Sequence, residues 1–205
     1  MIQVKTDGVP AVFYHETNFL PENLRRRVLD YLESTQFRGG ENSNGKDIPR
    51  RQLWFQRDNR YFCEKWYNRY PRWESNSYTE VLDELENFVQ DKINILLKNK
   101  DTQIPHLNSI LINKYRDGRD SIRPHRDSAV SFGEEPTIIV ISLGSTRDLV
   151  FKKNGSDKSE FKFTMADNSF FIMGGGSQKY FTHEIPKTDA CETRYSLTMR
   201  EYINH

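Results

Sequence analysis

Seven short segments rich in β-branched and aromatic residues follow one another in the second half of the chain, and they restrict the possible folds most. They cover residues 109–115, 137–143, 148–152, 160–164, 169–173, 180–184 and 193–199. Turn-forming pairs such as Asp117-Gly118 and Asn154-Gly155 separate them, as is typical of successive strands. The series predicts a β-sandwich or a β-barrel.

Two amphipathic helices are expected ahead of these strands. In residues 21–34 an apolar side chain recurs every fourth residue, and residues 78–98 carry a longer stripe of the same kind, which indicates helices with one apolar face. We therefore predict an α+β fold in which the N-terminal helices pack on one side of the strands. A length of 205 residues suits a single domain that covers residues 1–205.

Composition excludes several classes of protein. The 30 Lys and Arg residues nearly balance the 29 Asp and Glu residues, so the net charge of +1 excludes a generally basic coat. We find no apolar run long enough to span a bilayer and no apolar core of a secretory signal in the first residues. Two cysteines are too few for a disulfide framework or a Cys-rich zinc site. We expect an intracellular protein, cytoplasmic or nuclear, that is monomeric and has no membrane partner.

His125-Arg126-Asp127, followed much later by His183, forms a candidate metal site. Two imidazoles and one carboxylate are the facial triad that suits non-haem Fe(II) and leaves coordination positions open. Alternation along a strand would place His125 and Asp127 on the same face, and His183 would then come from another strand. A His-x-Asp pair in a surface turn is the alternative interpretation of this motif.

Arg194 and Arg200 lie six residues apart in the last predicted strand. An extended strand places both on one face, where buried arginines would need anionic partners. A dicarboxylate co-substrate would supply them through bidentate Arg–carboxylate bonds. Two arginines of an edge strand, in water or paired with Asp or Glu, explain the spacing equally well.

These residues belong to a longer series of motifs that resembles one known family. The series consists of Asn113-Lys114-Tyr115-Arg116-Asp117-Gly118, His125-Arg126-Asp127, Ser142-Leu143-Gly144, Arg147-Asp148-Leu149-Val150-Phe151, Met173-Gly174-Gly175, His183, and Arg194 with Arg200, with Ile48-Pro49-Arg50 upstream. In order and spacing it resembles the AlkB family of Fe(II)/2-oxoglutarate-dependent dioxygenases, in particular its DNA-repair branch. The resemblance implies a double-stranded β-helix, or jelly roll, as the catalytic core at 107–205. It implies N-terminal helices and a nucleotide-recognition lid at 1–106.

The resemblance also implies roles for individual residues. His125, Asp127 and His183 would hold Fe(II), and Arg194 would bind the distal carboxylate of 2-oxoglutarate. The remaining co-substrate residues would be Asn113 and Tyr115 on a neighbouring strand, Arg200 near the iron-chelating end, and Ser196 where the family usually has Asn. O2 would be the oxidant.

The implied function is oxidative demethylation of N-alkylated bases in DNA or RNA, which reverses alkylation damage directly and releases formaldehyde, succinate and CO2. An AlkB-like oxygenase that hydroxylates or demethylates a protein or a small molecule is the alternative. A catalytically idle nucleic-acid-binding module is a third possibility, against which the intact iron and co-substrate residues argue.

Residues 46–73 form the expected lid and substrate surface. Eight basic and three acidic side chains give the segment a local charge of +5, and eight aromatic residues lie among them, a combination that suits phosphates and stacked bases. The candidate substrate-binding residues are Arg50, Arg51, Trp54 and Tyr61, with Arg57 and Arg60 beside them. In the alternative interpretation the aromatic residues belong to the core and the arginines to a solvated face.

One position departs from the pattern of the repair enzymes. Ala129 stands two residues after Asp127, where those enzymes usually have an acidic residue that helps to read the damaged base. Glu134 or Glu135 in the following loop would be the nearest substitutes.

Overall fold

The computed structural model describes residues 2–5, 8–41, 44–98, 100 and 102–203. The outermost residues of the predicted domain, 1 and 204–205, therefore lie outside the described residues. The strands are β1 Ile2–Lys5, β2 Ala11–Glu16, β3 Arg51–Gln56, β4 Ser75–Asn76, β5 Ser109–Tyr115, β6 Ile122–His125, β7 Ile138–Gly144, β8 Arg147–Lys153, β9 Ser159–Met165, β10 Ser169–Gly175, β11 Phe181–Ile185 and β12 Arg194–Arg200. The helices are α1 Glu22–Ser34, α2 Glu80–Leu96, α3 Ala129–Phe132 and α4 Ser177–Tyr180, and two 3-10 turns occupy Glu64–Trp66 and Pro71–Trp73.

The strands form two sheets that face each other. The large sheet has the order β1-β2-β10-β7-β12-β5-β3-β4, and the small sheet has the order β6-β11-β8-β9. Phe13 and Phe171 of the large sheet pack against Phe151 and Phe181 of the small sheet in one apolar cluster. This is the predicted jelly-roll arrangement, in which the inner faces of both sheets share a core.

The two long helices cover the outer face of the large sheet, as predicted. Val28 of α1 and Val89 of α2 share an apolar cluster with Ile139 and Ile141 of β7. The neighbouring residue Ile138 faces the small sheet instead. Successive side chains of β7 point to opposite faces of the sheet, and both faces are covered. The strand is therefore a continuous run of apolar residues. No helix in the described ranges is both long and apolar enough to cross a membrane.

The first part of the expected lid is a strand of the large sheet. Residues 51–56 form β3, which pairs antiparallel with β5 so that Leu53 lies opposite Ile112. Only 53–55 are apolar, between Gln52 and Gln56, and such a short run flanked by polar residues is a weak strand signal.

The rest of that segment packs beside α3. Its buried side chains Tyr61, Phe62, Cys63 and Trp73 share an apolar cluster with Trp54, Leu111, Phe132 and Tyr202. The hydroxyl of Ser131 in α3 donates a hydrogen bond to the carbonyl oxygen of Phe62 over 2.7 Å. The segment is therefore fixed to the helix that follows the candidate metal ligand Asp127.

Candidate active site

The three predicted metal ligands meet at one edge of the small sheet. His125 is the last residue of β6 and lies directly opposite His183 of β11. Asp127 Oδ1 lies 3.9 Å from His125 Nε2 and 3.8 Å from His183 Nε2. All three ligand atoms lie within 4.8 Å of one another, so one metal ion can contact all of them.

Asp127 lies beside the imidazoles but not on the same strand as His125, contrary to the expected strand alternation. Strand β6 ends at His125, and the chain then turns. The Asp127 N–H donates to Gln178 Oε1 in α4 over 2.9 Å, and Asp127 Oδ2 accepts a hydrogen bond from Arg200 Nε. These two contacts fix the backbone and the carboxylate separately, and they leave Oδ1 for the metal.

Burial and charge hold all three side chains in the form that binds metal. Burial, with the neighbouring His125, lowers the pKa of His183 to about 3, and burial also lowers the pKa of His125. Burial by itself would raise the pKa of Asp127, but the charge and the hydrogen bond of Arg200 oppose burial, and that pKa is lowered. Neutral imidazoles and an ionised carboxylate are what a divalent metal requires.

A hydrogen bond to the backbone orients His125. Its Nδ1 donates to the carbonyl oxygen of Arg123 over 2.9 Å, so Nε2 is left as the free lone pair. This backbone contact sets the tautomer and the ring plane, as partners of metal-bound histidines usually do. Phe151 lies beside His183, with ring centroids 5.8 Å apart, and excludes water on that side.

Arg194 is a buried cation in the large sheet. It is 1% exposed and lies on β12, which is an inner strand of the large sheet. Its Nε donates to Ser142 Oγ over 2.8 Å, whereas Nη1 has no partner among the described residues. Burial lowers the Arg194 pKa to about 10, so the guanidinium is still charged at neutral pH. The edge-strand interpretation is therefore wrong, and Arg194 needs an anion.

Three other predicted co-substrate residues lie near Arg194 in the sheet register, whereas Arg200 contacts Asp127 instead. Tyr115 lies opposite Arg194 on β5, with its ring centroid 5.2 Å from the guanidinium carbon. Ser196 lies between Asn113 of β5 and Ser142 of β7 in the sheet register. Asn113 Oδ1 accepts hydrogen bonds from Arg50 Nε and Gln52 Nε2, each 3.0 Å long. The Asn113 amide group is thereby oriented with its NH2 as the remaining donor.

A cleft of about 640 Å³ opens at Asp127. Its lining consists of Arg126, Asp127, Ala129, Gly133, Glu134, Glu135, Gln178 and Lys179. The cleft thus brings Glu134 and Glu135 to the side of Ala129, as their position in the following loop suggested. Gln178 and Lys179 were missed by sequence reasoning, because a helix of four residues after three glycines has no visible periodicity.

Comparison with known proteins decides the family. The family model described as the 2OG-Fe(II) oxygenase superfamily matches residues 12–200. This chain belongs to that superfamily.

Curated relatives of this 2OG-Fe(II) oxygenase are AlkB homologues. An alkB homolog 3 dioxygenase of Rattus norvegicus is 32% identical over 102 residues, which cover 45% of this chain and 35% of the relative. A DNA oxidative demethylase ALKBH2 of Arabidopsis thaliana is 28% identical over 116 residues, with 45% and 37% covered. An alkB homolog 3 dioxygenase of Bos taurus is 28% identical over 170 residues, with 76% and 58% covered. The chain thus spans about a third to somewhat over half the length of these relatives.

Solved structures support the fold. The structure of OsALKBH1 has a TM-score of 0.65 at 15% identity and covers 92% of this chain and 97% of its own. A prolyl hydroxylase from Trichoplax adhaerens, in complex with a peptide fragment of hypoxia inducible factor, has a TM-score of 0.60 at 16% identity, with 93% and 83% covered. The predicted AlkB resemblance and the predicted jelly roll are confirmed, and the superfamily to which the chain belongs is one of Fe(II)- and 2-oxoglutarate-dependent oxygenases.

The residues of this oxygenase fit its cofactors. His125, Asp127 and His183 offer two nitrogens and one oxygen at metal-binding spacing, and the partnerless Nη1 of Arg194 fits a carboxylate of 2-oxoglutarate. When bound, Fe(II) and 2-oxoglutarate activate O2 and supply the oxidising equivalents, with succinate and CO2 as by-products. Arg200 keeps Asp127 ionised and oriented. Arg194 and Tyr115 would position the co-substrate.

Most of the residues expected to bind substrate are buried or bound to other groups of the protein. Trp54 is fully buried and donates from Nε1 to the Arg60 carbonyl oxygen over 2.9 Å. Tyr61 is 6% exposed and donates to the Tyr70 carbonyl oxygen over 3.3 Å. Neither ring has a free face, so the prediction that they stack on a base is wrong, and the core interpretation holds for both.

The two adjacent arginines of this segment also face inward or make local pairs. Arg50 contacts Asn113 and, over 3.4 Å, the carbonyl oxygen of Ser121, so it borders the co-substrate residues rather than an outer surface. Arg51 pairs with Asp47 over 3.4 Å. Arg57, predicted beside them, pairs with Glu86 over 2.6 Å and also with Asp83. Contact of these arginines with nucleic acid stays a prediction, and each of them already has partners within the protein.

Proposed function

We propose that this oxygenase removes N-alkyl groups from nucleobases in DNA or RNA by oxidation and releases formaldehyde, succinate and CO2. The observation that carries the proposal is the cleft at Asp127, because its lining includes one of the three metal ligands. Its volume of about 640 Å³ lies within the range of sites for small ligands. It suits one base taken out of its stack rather than a duplex.

The chemistry of the family supports this substrate. Oxidation of an N-methyl C–H bond gives an N-hydroxymethyl group, which collapses to formaldehyde and the free base. Relatives named DNA oxidative demethylase ALKBH2 align with 45–47% of this chain. The protein's share of the reaction is to hold the methyl group over the triad and to exclude water.

A single incubation tests the proposal. The protein is supplied with Fe(II), ascorbate and 2-oxoglutarate, together with oligonucleotides that carry N1-methyladenine or N3-methylcytosine in DNA and RNA, single- and double-stranded. Mass spectrometry follows methyl loss, and succinate is assayed in the same tubes. Methyl loss matched by succinate is the expected result and ranks the nucleic acids.

The other outcomes separate the alternatives. Succinate without methyl loss from any oligonucleotide would contradict the demethylase proposal and favour a protein or small-molecule substrate. Ala129 leaves room for that outcome, because the usual base-reading carboxylate is missing there. No succinate with any substrate under these conditions would favour an idle binding module.

A further inference from the structure

Two arginines beside the metal ligand His125 have guanidinium groups to which the site described above gives no role. Arg123 lies on β6 and Arg126 follows the end of that strand, and both are exposed. Within the described parts of the chain, neither guanidinium has a hydrogen-bond or ion-pair partner. Both cations are therefore available to an anion from outside the protein.

Most neighbouring arginines are already paired. Arg116 holds Asp120 over 2.8 Å, and Arg119 holds Asp117 over 2.6 Å. Arg51 and Arg57 in residues 46–73 also have carboxylate partners. An external phosphate would have to displace a carboxylate from each of these, whereas at Arg123 and Arg126 it adds a charge-assisted bond with no competitor.

The position of the two arginines matches the path of a bound strand. Arg126 lines the same cleft as Asp127, and the Arg123 backbone carbonyl orients His125. A base drawn into the cleft leaves its flanking phosphates at the rim. Besides Asp127, the cleft holds the carboxylates of Glu134 and Glu135. They repel phosphate from its interior and reinforce this orientation, although Glu135 is partly neutralised by Lys179 at 3.5 Å.

We propose that Arg123 and Arg126 bind the phosphates that flank the target nucleotide, so that β6 and the turn after it carry both metal ligands and the main contacts to the nucleic-acid backbone. This inference rests on the proposed function, because it requires a nucleic-acid substrate. It moves the phosphate contacts from residues 46–73, where the sequence alone suggests them, to the rim of the metal site.

The salt dependence of binding tests the inference, because it counts phosphate contacts. The probe is a fluorescently labelled single-stranded DNA 15-mer with one N3-methylcytosine, bound by the full chain with Mn(II) and 2-oxoglutarate without O2. For single strands, the slope of log K against log salt falls by about 0.7 per lost contact. The double variant Arg123→Gln/Arg126→Gln should therefore make the slope shallower by about 1.4. It should also weaken binding roughly tenfold or more at moderate salt.

Matched variants give the comparison. Arg119→Gln removes a cation that is 89% exposed but paired with Asp117, and it should leave the slope unchanged. Arg60→Gln/Arg69→Gln removes two exposed arginines of residues 46–73 and should change the slope less. Arg123→Lys/Arg126→Lys keeps both charges and should restore the slope. The inference would be overturned if the double lysine variant had the same slope as the double glutamine variant. It would also be overturned if only Arg60→Gln/Arg69→Gln made the slope shallower.

The results also separate this inference from the proposed function. A wild-type protein that removes methyl groups, with an unchanged slope in the 123/126 glutamine variant, would leave the function standing and remove the inference. Salt-dependent binding that weakens in this variant, without methyl loss by the wild type, would keep the contacts and contradict demethylation. Wild-type binding without salt dependence would contradict the inference outright.

Discussion

Arg194 is a buried cation with one donor nitrogen that no described residue satisfies. An unpaired charge in the interior of a sheet is strongly unfavourable unless a ligand completes it. The neighbouring Tyr115, Asn113 and Ser196 are neutral, so the missing anion has to come from outside the chain. A carboxylate of 2-oxoglutarate meets this requirement.

Replacing Arg194 by Ala should raise the KM for 2-oxoglutarate. Removal of one partner from a buried charge pair costs about 2–5 kcal/mol, which corresponds to a rise of roughly 30-fold or more. Succinate formation at varied 2-oxoglutarate measures it. Arg119→Ala, which removes an exposed arginine, should leave the KM unchanged. An equal KM in wild type and Arg194→Ala would mean that the co-substrate binds elsewhere.

His183→Ala should abolish turnover and strongly reduce metal affinity. The variant loses one of three ligands, so the loss should exceed the roughly 10–100-fold typical of a removed outer-shell partner. Mn(II) titration by calorimetry measures affinity without any need for activity. His106→Ala, at an exposed position, is the matched control. Wild-type metal affinity in His183→Ala would remove His183 from the ligand set.

The residues that sequence reasoning found share a local signature. His125 and Asp127 are two residues apart, and Arg194 and Arg200 lie on one strand, so spacing alone could group each pair. Gln178 was beyond reach because its partner Asp127 lies 51 residues away. Trp54 and Tyr61 were misassigned because an aromatic residue among arginines has the same sequence pattern in a core as on a surface.

At the scale of elements, the short helix α4 acts on the metal site from outside the ligand set. Its residue Gln178 is buried, accepts the N–H of Asp127, and donates from Nε2 to Met173 Sδ over 3.2 Å. The backbone of the ligand loop is thereby tied to the end of β10. This contact positions Asp127 without touching the metal.

Gln178→Leu should weaken metal binding by about 10–100-fold, the usual effect of losing such a partner. The apolar side chain has a similar volume but cannot accept the Asp127 N–H. Mn(II) titration gives the affinity, and a melting curve without metal checks the fold. Gln103→Leu, at an exposed position, should match wild type. Unaltered Mn(II) binding in a folded Gln178→Leu protein would show that α4 does not position Asp127.

Prediction of the elements was best where periodicity was strong. The last predicted strand, 193–199, is Arg194–Arg200 in the structure, and the helix predicted at 21–34 begins one residue later. β6 is not among the seven predicted segments, because Arg123 and Pro124 interrupt a strand of only four residues, and the strand ends before Asp127, which was expected to lie on it. It is held as a strand by pairing with β11, which is a tertiary effect that local sequence does not show.

At the scale of the whole molecule, the order of strands was not predictable. β2 and β10 are neighbours although more than 150 residues separate them, with Phe13 opposite Met173. No local pattern encodes that pairing, because it follows from how both sheets share their core. The monomeric state and the intracellular location stay predictions.

Binding of metal and co-substrate should raise the melting temperature. A ligand that binds only the folded state stabilises it by about 2.7 kcal/mol at a hundred times its Kd, which means roughly 5–10 °C for a chain of this size. Differential scanning fluorimetry with Mn(II) and 2-oxoglutarate measures the shift. His183→Ala should lose most of it, and a full shift in that variant would contradict the assigned metal site.

The edge position of β6 has a consequence for when this enzyme engages its substrate. β6 is the outermost strand of the small sheet and is aligned with β11 at only two positions, His125 with His183 and Ile122 with Ile185. A metal ion bound by both histidines would link β6 to β11 and stabilise their pairing, as a cross-link would. The same strand presents Arg123, so the proposed phosphate contact would form more weakly in protein without metal than in protein with metal.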